Sequence, residues 1–279
     1  MKDIIRISDI SDPVFDVYSR HNETRLYRYY EPEAGLFIAE SVRVIERALA
    51  SGYEPVSLLL DEHALNGEAA PLLERGIDVP VYVAGQKTLE QITGYPVTRG
   101  ALCSMRRRAL LTVEEVCAGA KRIVVLEHIM NPTNVGAIFR NAAALGVDAV
   151  LLMEGCSDPL YRRAIRVSMG NVFSLPWTVI PDCRSAAAHA ALGEALAIDL
   201  HAWGFTLYAL ALSEDAVSLK ELQIPGQQKT ALFLGSENDG LSESLLNSCD
   251  AIVTIPMTRG VDSLNVAAAS AVAFYAFSQ

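Results

Sequence analysis

The chain has no apolar run approaching the roughly eighteen residues that cross a bilayer. Its opening, MKDIIRISDISDPVFDV, lacks a basic segment followed by a long apolar one, so no secretory leader is read there. Five cysteines, Cys103, Cys117, Cys156, Cys183 and Cys249, are scattered with no C-x-x-C pair and no His/Cys cluster. Such thiols fit a reduced, cytoplasmic protein, and no metal is expected. No G-x-G-x-x-G follows a strand-like run, which argues against a Rossmann dinucleotide enzyme, and the P-loop signature is missing too. An excess of positive charge is also lacking: the formal net charge is −10, spread over both halves. That excludes a uniformly basic nucleic-acid binder but not local contacts, because phosphate needs local potential only.

What the chain does have is core-forming material. Over 279 residues, 51% are apolar and 20% charged, enough for one large domain or two ordinary ones. Residues 1–35 are polar and Tyr-rich, with Arg25, Tyr27, Arg28, Tyr29 and Tyr30 interleaved; such strings stack on bases or pack as amphipathic surface. Ile38, Val42, Ile45 and Leu49 recur at helical spacing before Gly52. Strand-like runs follow at 56–60, 79–85 and 101–105, making a small α/β unit, residues 1–112. Arg106, Arg107 and Arg108 close it, as an RNA contact or as a solvated face.

From Lys121 the alternation becomes regular. Strands are expected at 123–129, 148–153, 205–212, 230–235 and 251–257, with helices at 134–145, 159–169, 184–198, 242–248 and 264–278. Short apolar runs alternating with helices predict a parallel sheet covered on both faces, in a domain spanning 113–279. Asp158 would cap the helix at 159–169, with Pro159 its first residue. A parallel α/β domain binds its ligand beyond the C-terminal ends of the strands, and three strand ends run into unusual polar sequence. These are NPTNVGAIFRNA from Asn131, GSENDGLS from Gly235, and TRGVDSLN after Met257. Taken singly, each has a bland explanation. Asn134 serves as a helix cap, Arg140 as a surface cation, Glu237 as a carboxylate at a helix N-terminus, and Ser263 as the cap of the last helix.

Together, in this order and spacing, the three segments resemble the signature motifs of the SpoU (TrmH-type) branch of the SPOUT RNA 2′-O-ribose methyltransferases. The stretch RAIRVSMGNVFSLP from Arg163 resembles the family's middle segment, and GLFIAESVRVIE from Gly35 resembles the small RNA-binding domain that many members carry. One departure lies in the third motif. Gly260 comes three residues after Met257, and Arg259 occupies the usual glycine position.

The resemblance implies a trefoil-knotted parallel-sheet domain, S-adenosylmethionine as cofactor, and a homodimer. It implies cofactor contacts at Leu234, Gly235, Ile255, Met257, Ser263 and Leu264. It also implies catalytic roles for Arg140, Asn134, Glu237, Ser263 and Asn265, with Arg259 joining the arginines at 106–108 toward RNA. Ribosomal RNA of the large subunit is favoured over transfer RNA. The remaining alternative is a non-catalytic relative that binds RNA or assists ribosome assembly.

Overall fold

The computed structural model describes residues 4–7, 11–18, 35–74, 76–97, 100–153, 155–180, 186–224 and 228–278. The Arg/Tyr string at 25–30 lies outside them. The chain divides into two compact units, one of Met1–Ala109 with Leu160–Ser174, the other of Leu110–Pro159 with Leu175–Gln279.

The first unit holds a mixed five-stranded sheet of β1 (Ile4–Arg6), β2 (Leu36–Glu40), β3 (Pro55–Asp61), β4 (Val81–Ala84) and β5 (Ala101–Arg106), in the order β1-β4-β3-β5-β2. Phe15, Tyr18, Leu36, Ile38, Leu59 and Leu102 share one core cluster. Ile38 therefore does not start a helix. It pairs with Ser104 in the β2–β5 ladder, and the helix begins at Val42. A buried strand residue four positions before a helical stripe mimics its spacing, which is why periodicity mistook it.

Leu160–Ser174 returns to this first unit. Phe173 packs on Phe37 at 5.5 Å and edge-on to Tyr53 at 5.2 Å between ring centroids. Arg162 donates to the Tyr95 hydroxyl at 2.8 Å and to the Tyr18 carbonyl at 3.0 Å. Tyr95 in turn donates to Glu40 at 2.7 Å, and burial pushes its hydroxyl up to about 12. The helix here runs Arg162–Val167 with Tyr161 as N-cap. Asp158 does not cap it and Pro159 lies before it, because Leu160 is buried in an intervening turn.

The second unit is a seven-stranded, wholly parallel sheet of β6 (Arg122–Leu126), β7 (Ala149–Leu152), β8 (Trp177–Val179), β9 (Phe205–Leu210), β10 (Val217–Ser218), β11 (Lys229–Leu234) and β12 (Ala251–Thr254), in the order β10-β12-β9-β11-β6-β7-β8. Ile123, Val124, Val125 and Leu126 are all buried, as a strand covered on both faces requires. Val125, Leu151, Leu207 and Phe233 pack with Leu196 and Leu200 of the helix Ala186–Ala202. β8 and β10 were not expected; at three and two residues they are too short to show alternation. No described helix is long and apolar enough to cross a membrane.

Candidate active site

Register brings the three polar loops together. Leu126 pairs with Leu234, Leu234 with Leu210, and Leu210 with Val253, so β6, β11, β9 and β12 end along one edge of the sheet. The loops that follow β6, β11 and β12 leave that edge side by side.

The first loop enters the helix Pro132–Ala144. Proline stands at its first position, and the Asn131 side chain accepts from the Thr133 N–H at 2.9 Å. Asn131 is thus the cap. Asn134 lies a turn inside, only 7% exposed, with its amide committed elsewhere. Its Nδ2 donates to Glu237 Oε1 at 3.1 Å. Asn265, the cap of the last helix (Val266–Phe277), donates through Nδ2 to Asn134 Oδ1 at 3.2 Å and also to Glu237 Oε1. One polar side chain from each loop therefore joins a single ring. Ser263 does not cap the last helix; it is exposed and faces the cleft described below.

The second loop is a tight turn. Ser236 and Gly240 exchange backbone hydrogen bonds of 3.1 and 3.2 Å, and the Asp239 N–H donates to Ser236 Oγ at 3.0 Å. A Cβ on Gly235 would sit 2.2 Å from the Gly240 carbonyl carbon and 2.4 Å from the Leu241 nitrogen, so no other residue fits without moving the turn.

Between the second and third loops opens a cleft of about 360 Å³. Leu234, Gly235, Ile255, Met257, Ser263 and Leu264 all line it. Leu210 and Leu212 extend its apolar wall, and Asp239 and Asp262 add carboxylates. Its size is that of a small-molecule site. Apolar walls, a backbone-lined turn and acidic groups suit a ligand with a flat base and a cationic centre, which is the chemistry of S-adenosylmethionine.

Comparison with known proteins agrees. Residues 121–275 match the model of the SpoU rRNA Methylase family. The chain belongs to that family. An uncharacterised tRNA/rRNA methyltransferase of Mycobacterium bovis is 37% identical over 98% of this chain and 91% of its own length. RlmP, a 23S rRNA (guanosine(2553)-2′-O)-methyltransferase of Bacillus subtilis, is 28% identical over 86% of this chain and 87% of its own. An S-adenosylmethionine-bound rRNA methyltransferase structure from Sinorhizobium meliloti shares the fold, with a TM-score of 0.78 at 21% identity, covering 98% of this chain and 97% of that one. This SpoU methylase is accordingly an RNA 2′-O-ribose methyltransferase that uses S-adenosylmethionine.

The remaining predicted residues lie apart from the ring and the cleft. Arg140 is exposed, six residues or about one and two-thirds turns beyond Asn134. Arg259 is exposed on the third loop. In the first unit Arg107 donates to the Leu36 carbonyl at 3.1 Å, and Arg108 donates to the Ser51 carbonyl at 2.6 Å while lying 4.4 Å over the Tyr53 ring. Arg106 ends β5 and is exposed. Sequence reasoning missed Asn141, which donates to the Ala267 carbonyl at 2.8 Å and to Ser270 Oγ at 2.9 Å, tying the first-loop helix to the last one. Its signal was a second amide seven residues after Asn134, on the same side of the helix.

Proposed function

We propose that this SpoU methylase modifies large-subunit ribosomal RNA in the cytoplasm as a homodimer, with the cleft between its second and third loops as the cofactor site. The observation that carries the site assignment is that all six residues implied by the motifs line one cleft, next to the Asn134–Glu237–Asn265 ring. The substrate assignment follows relatives named for 23S rRNA methylation. The first unit, which takes in Leu160–Ser174 besides the expected N-terminal residues, serves RNA recognition, and the second the chemistry. Val272 and Tyr275, 44% and 60% exposed on the last helix, offer an apolar face to a second copy.

The bound cofactor supplies the methyl group from its sulfonium. The protein's task is to align the ribose oxygen and to stabilise charge as its proton leaves. A guanidinium has no lone pair to offer as a base under working conditions. Arg140 instead binds a phosphate and the hydroxyl oxygen, stabilising the developing alkoxide, while water or phosphate takes the proton. The ring holds the helix bearing Arg140 against the two cofactor loops, and Ser263 positions the nucleotide.

Arg140→Ala should lower kcat by at least about a hundredfold, the scale of a charge-stabilising group, with the calorimetric Kd for S-adenosylmethionine unchanged. An equal loss of cofactor affinity would move Arg140 into the cofactor site. Replacing Arg106, Arg107 and Arg108 together with Ala should weaken RNA binding and flatten its salt dependence; an unchanged slope makes them a solvated face. Mapping ribose methylation in cells lacking the protein tests the substrate: loss from transfer RNA alone would refute the ribosomal assignment.

A further inference from the structure

Glu127, the residue after β6, is fully buried. Its backbone N–H donates to the Leu234 carbonyl at 3.0 Å, where β11 gives way to the second loop. Its Oε2 accepts from the Ser242 N–H at 2.7 Å, where that loop enters the helix Glu243–Ser248. One residue thus holds the second loop at both ends. The other carboxylate oxygen, Oε1, accepts Nε2–H of His189 at 2.6 Å, from the helix Ala186–Ala202.

Glu127, His128 and His189 bring three ligand-type atoms within 4.8 Å of one another. The geometry is nevertheless that of a hydrogen-bonded chain. The His128 and His189 rings stack, with centroids 5.1 Å apart and planes 29° from parallel. Stacked imidazoles carry their in-plane nitrogens side by side instead of toward a common point, and both Glu127 oxygens are already in short hydrogen bonds.

A buried carboxylate is tolerated only when its oxygens are satisfied. Without the His189 donor, Oε1 is orphaned, and the carboxylate must turn or admit water, which breaks its hold on Ser242. Leu241, the residue before Ser242, lines the cleft together with Gly235 and Glu237. We propose that Glu127 and His189 form a positioning pair that fixes the second loop and so sets affinity for S-adenosylmethionine. This rests on the cleft being the cofactor site.

The test is calorimetric titration of the full chain with S-adenosylmethionine, beside steady-state kinetics and thermal melting. His189→Leu should raise Kd and the cofactor KM at least about tenfold, the worth of a hydrogen bond to a charged group, while kcat at saturating cofactor stays within about threefold. His189→Gln, whose amide donates from nearly the same place, should stay within about threefold of wild type. Ser242→Pro removes the loop's N–H, at a φ of −61° that proline accepts, and should raise Kd like His189→Leu; Ser242→Ala, which loses only the hydroxyl contact to Ser244, should bind like wild type. The proline variant keeps the test open if His189→Leu does not fold. A lowered melting temperature with wild-type Kd overturns the proposal, as does a Gln variant as weak as Leu. Gly235→Ala is titrated alongside. If it weakens binding while the pair's variants do not, only the pair's role falls; if it too binds normally, the cleft assignment falls with it.

Discussion

The second and third loops line the same cleft but are held in opposite ways. The second is braced by the paired bonds of Ser236 and Gly240, by the Ser236 hydroxyl, and by Glu127 at both ends. Across residues 257–264 the described backbone hydrogen bonds reduce to Val261 N–H on the Thr258 carbonyl, at 3.3 Å. Residues 258–264 are all exposed, and the loop becomes fixed only where Asn265 caps the last helix. A preformed wall faces an adaptable one. Such a division suits an enzyme that must hold a small cofactor firmly and still admit a polymer.

The largest effect should come from breaking the braced side. Gly235→Ala places a methyl carbon inside the contact distance of the Gly240 and Leu241 backbone, so the turn must open. At about 1–3 kcal/mol for such overpacking, cofactor affinity should fall by about five- to a hundred-and-fiftyfold, measured by calorimetry. Affinity within twofold of wild type would show that the second loop is as adaptable as the third.

A smaller effect is expected where the two loops are linked. Asn265→Asp keeps a good helix cap but sets a second carboxylate against Glu237. The lost donor and the new repulsion should lower kcat/KM about tenfold. Adding Glu237→Gln restores a donor–acceptor pair and should recover most of the loss. A double variant no better than the single would mean that the ring does not couple the loops.

How much of this was legible beforehand depends on the range over which the cause acts. The β6 run at 123–126 announced a doubly covered strand, because burial on both faces leaves an unbroken apolar string. The six cleft residues were legible only through motif order, since nothing local distinguishes Ile255 from any other strand end. The ring was legible only through the resemblance, which brings Asn134, Glu237 and Asn265 into one site; no local pattern shows their contacts. Asn134, Glu237 and Asn265 are separated by up to 131 positions, and each taken alone has an ordinary explanation as a cap or surface group. Glu127 and His189 were missed for the same reason: their meaning is a contact between a strand end and a helix 62 positions later. The return of Leu160–Ser174 to the first unit was hidden because its apolar residues, Leu160, Ile165 and Phe173, suit any core equally well.

The smallest expected effect separates backbone from charge at Arg259. The residue sits at φ 60° and is followed by Gly260 at φ 71°, two left-handed positions in succession. A side chain there costs roughly 1 kcal/mol relative to glycine, offset in part by the greater freedom of glycine in the unfolded chain. Arg259→Gly should therefore melt no lower than wild type, and Arg259→Ala, strained like the native residue but without its cation, should melt below the glycine variant. Both lose the exposed cation proposed to face RNA, so both should raise the KM for RNA several-fold and steepen no salt dependence, because one phosphate contact fewer means fewer counterions released. Cofactor affinity should be unchanged in either. The competing role is an internal one, with Arg259 pairing with Asp262 or Asp239 to hold the third loop shut. In that case the Kd for S-adenosylmethionine rises in both variants while RNA binding by the free enzyme stays put, and the third loop is braced after all, by charge where the second is braced by its backbone.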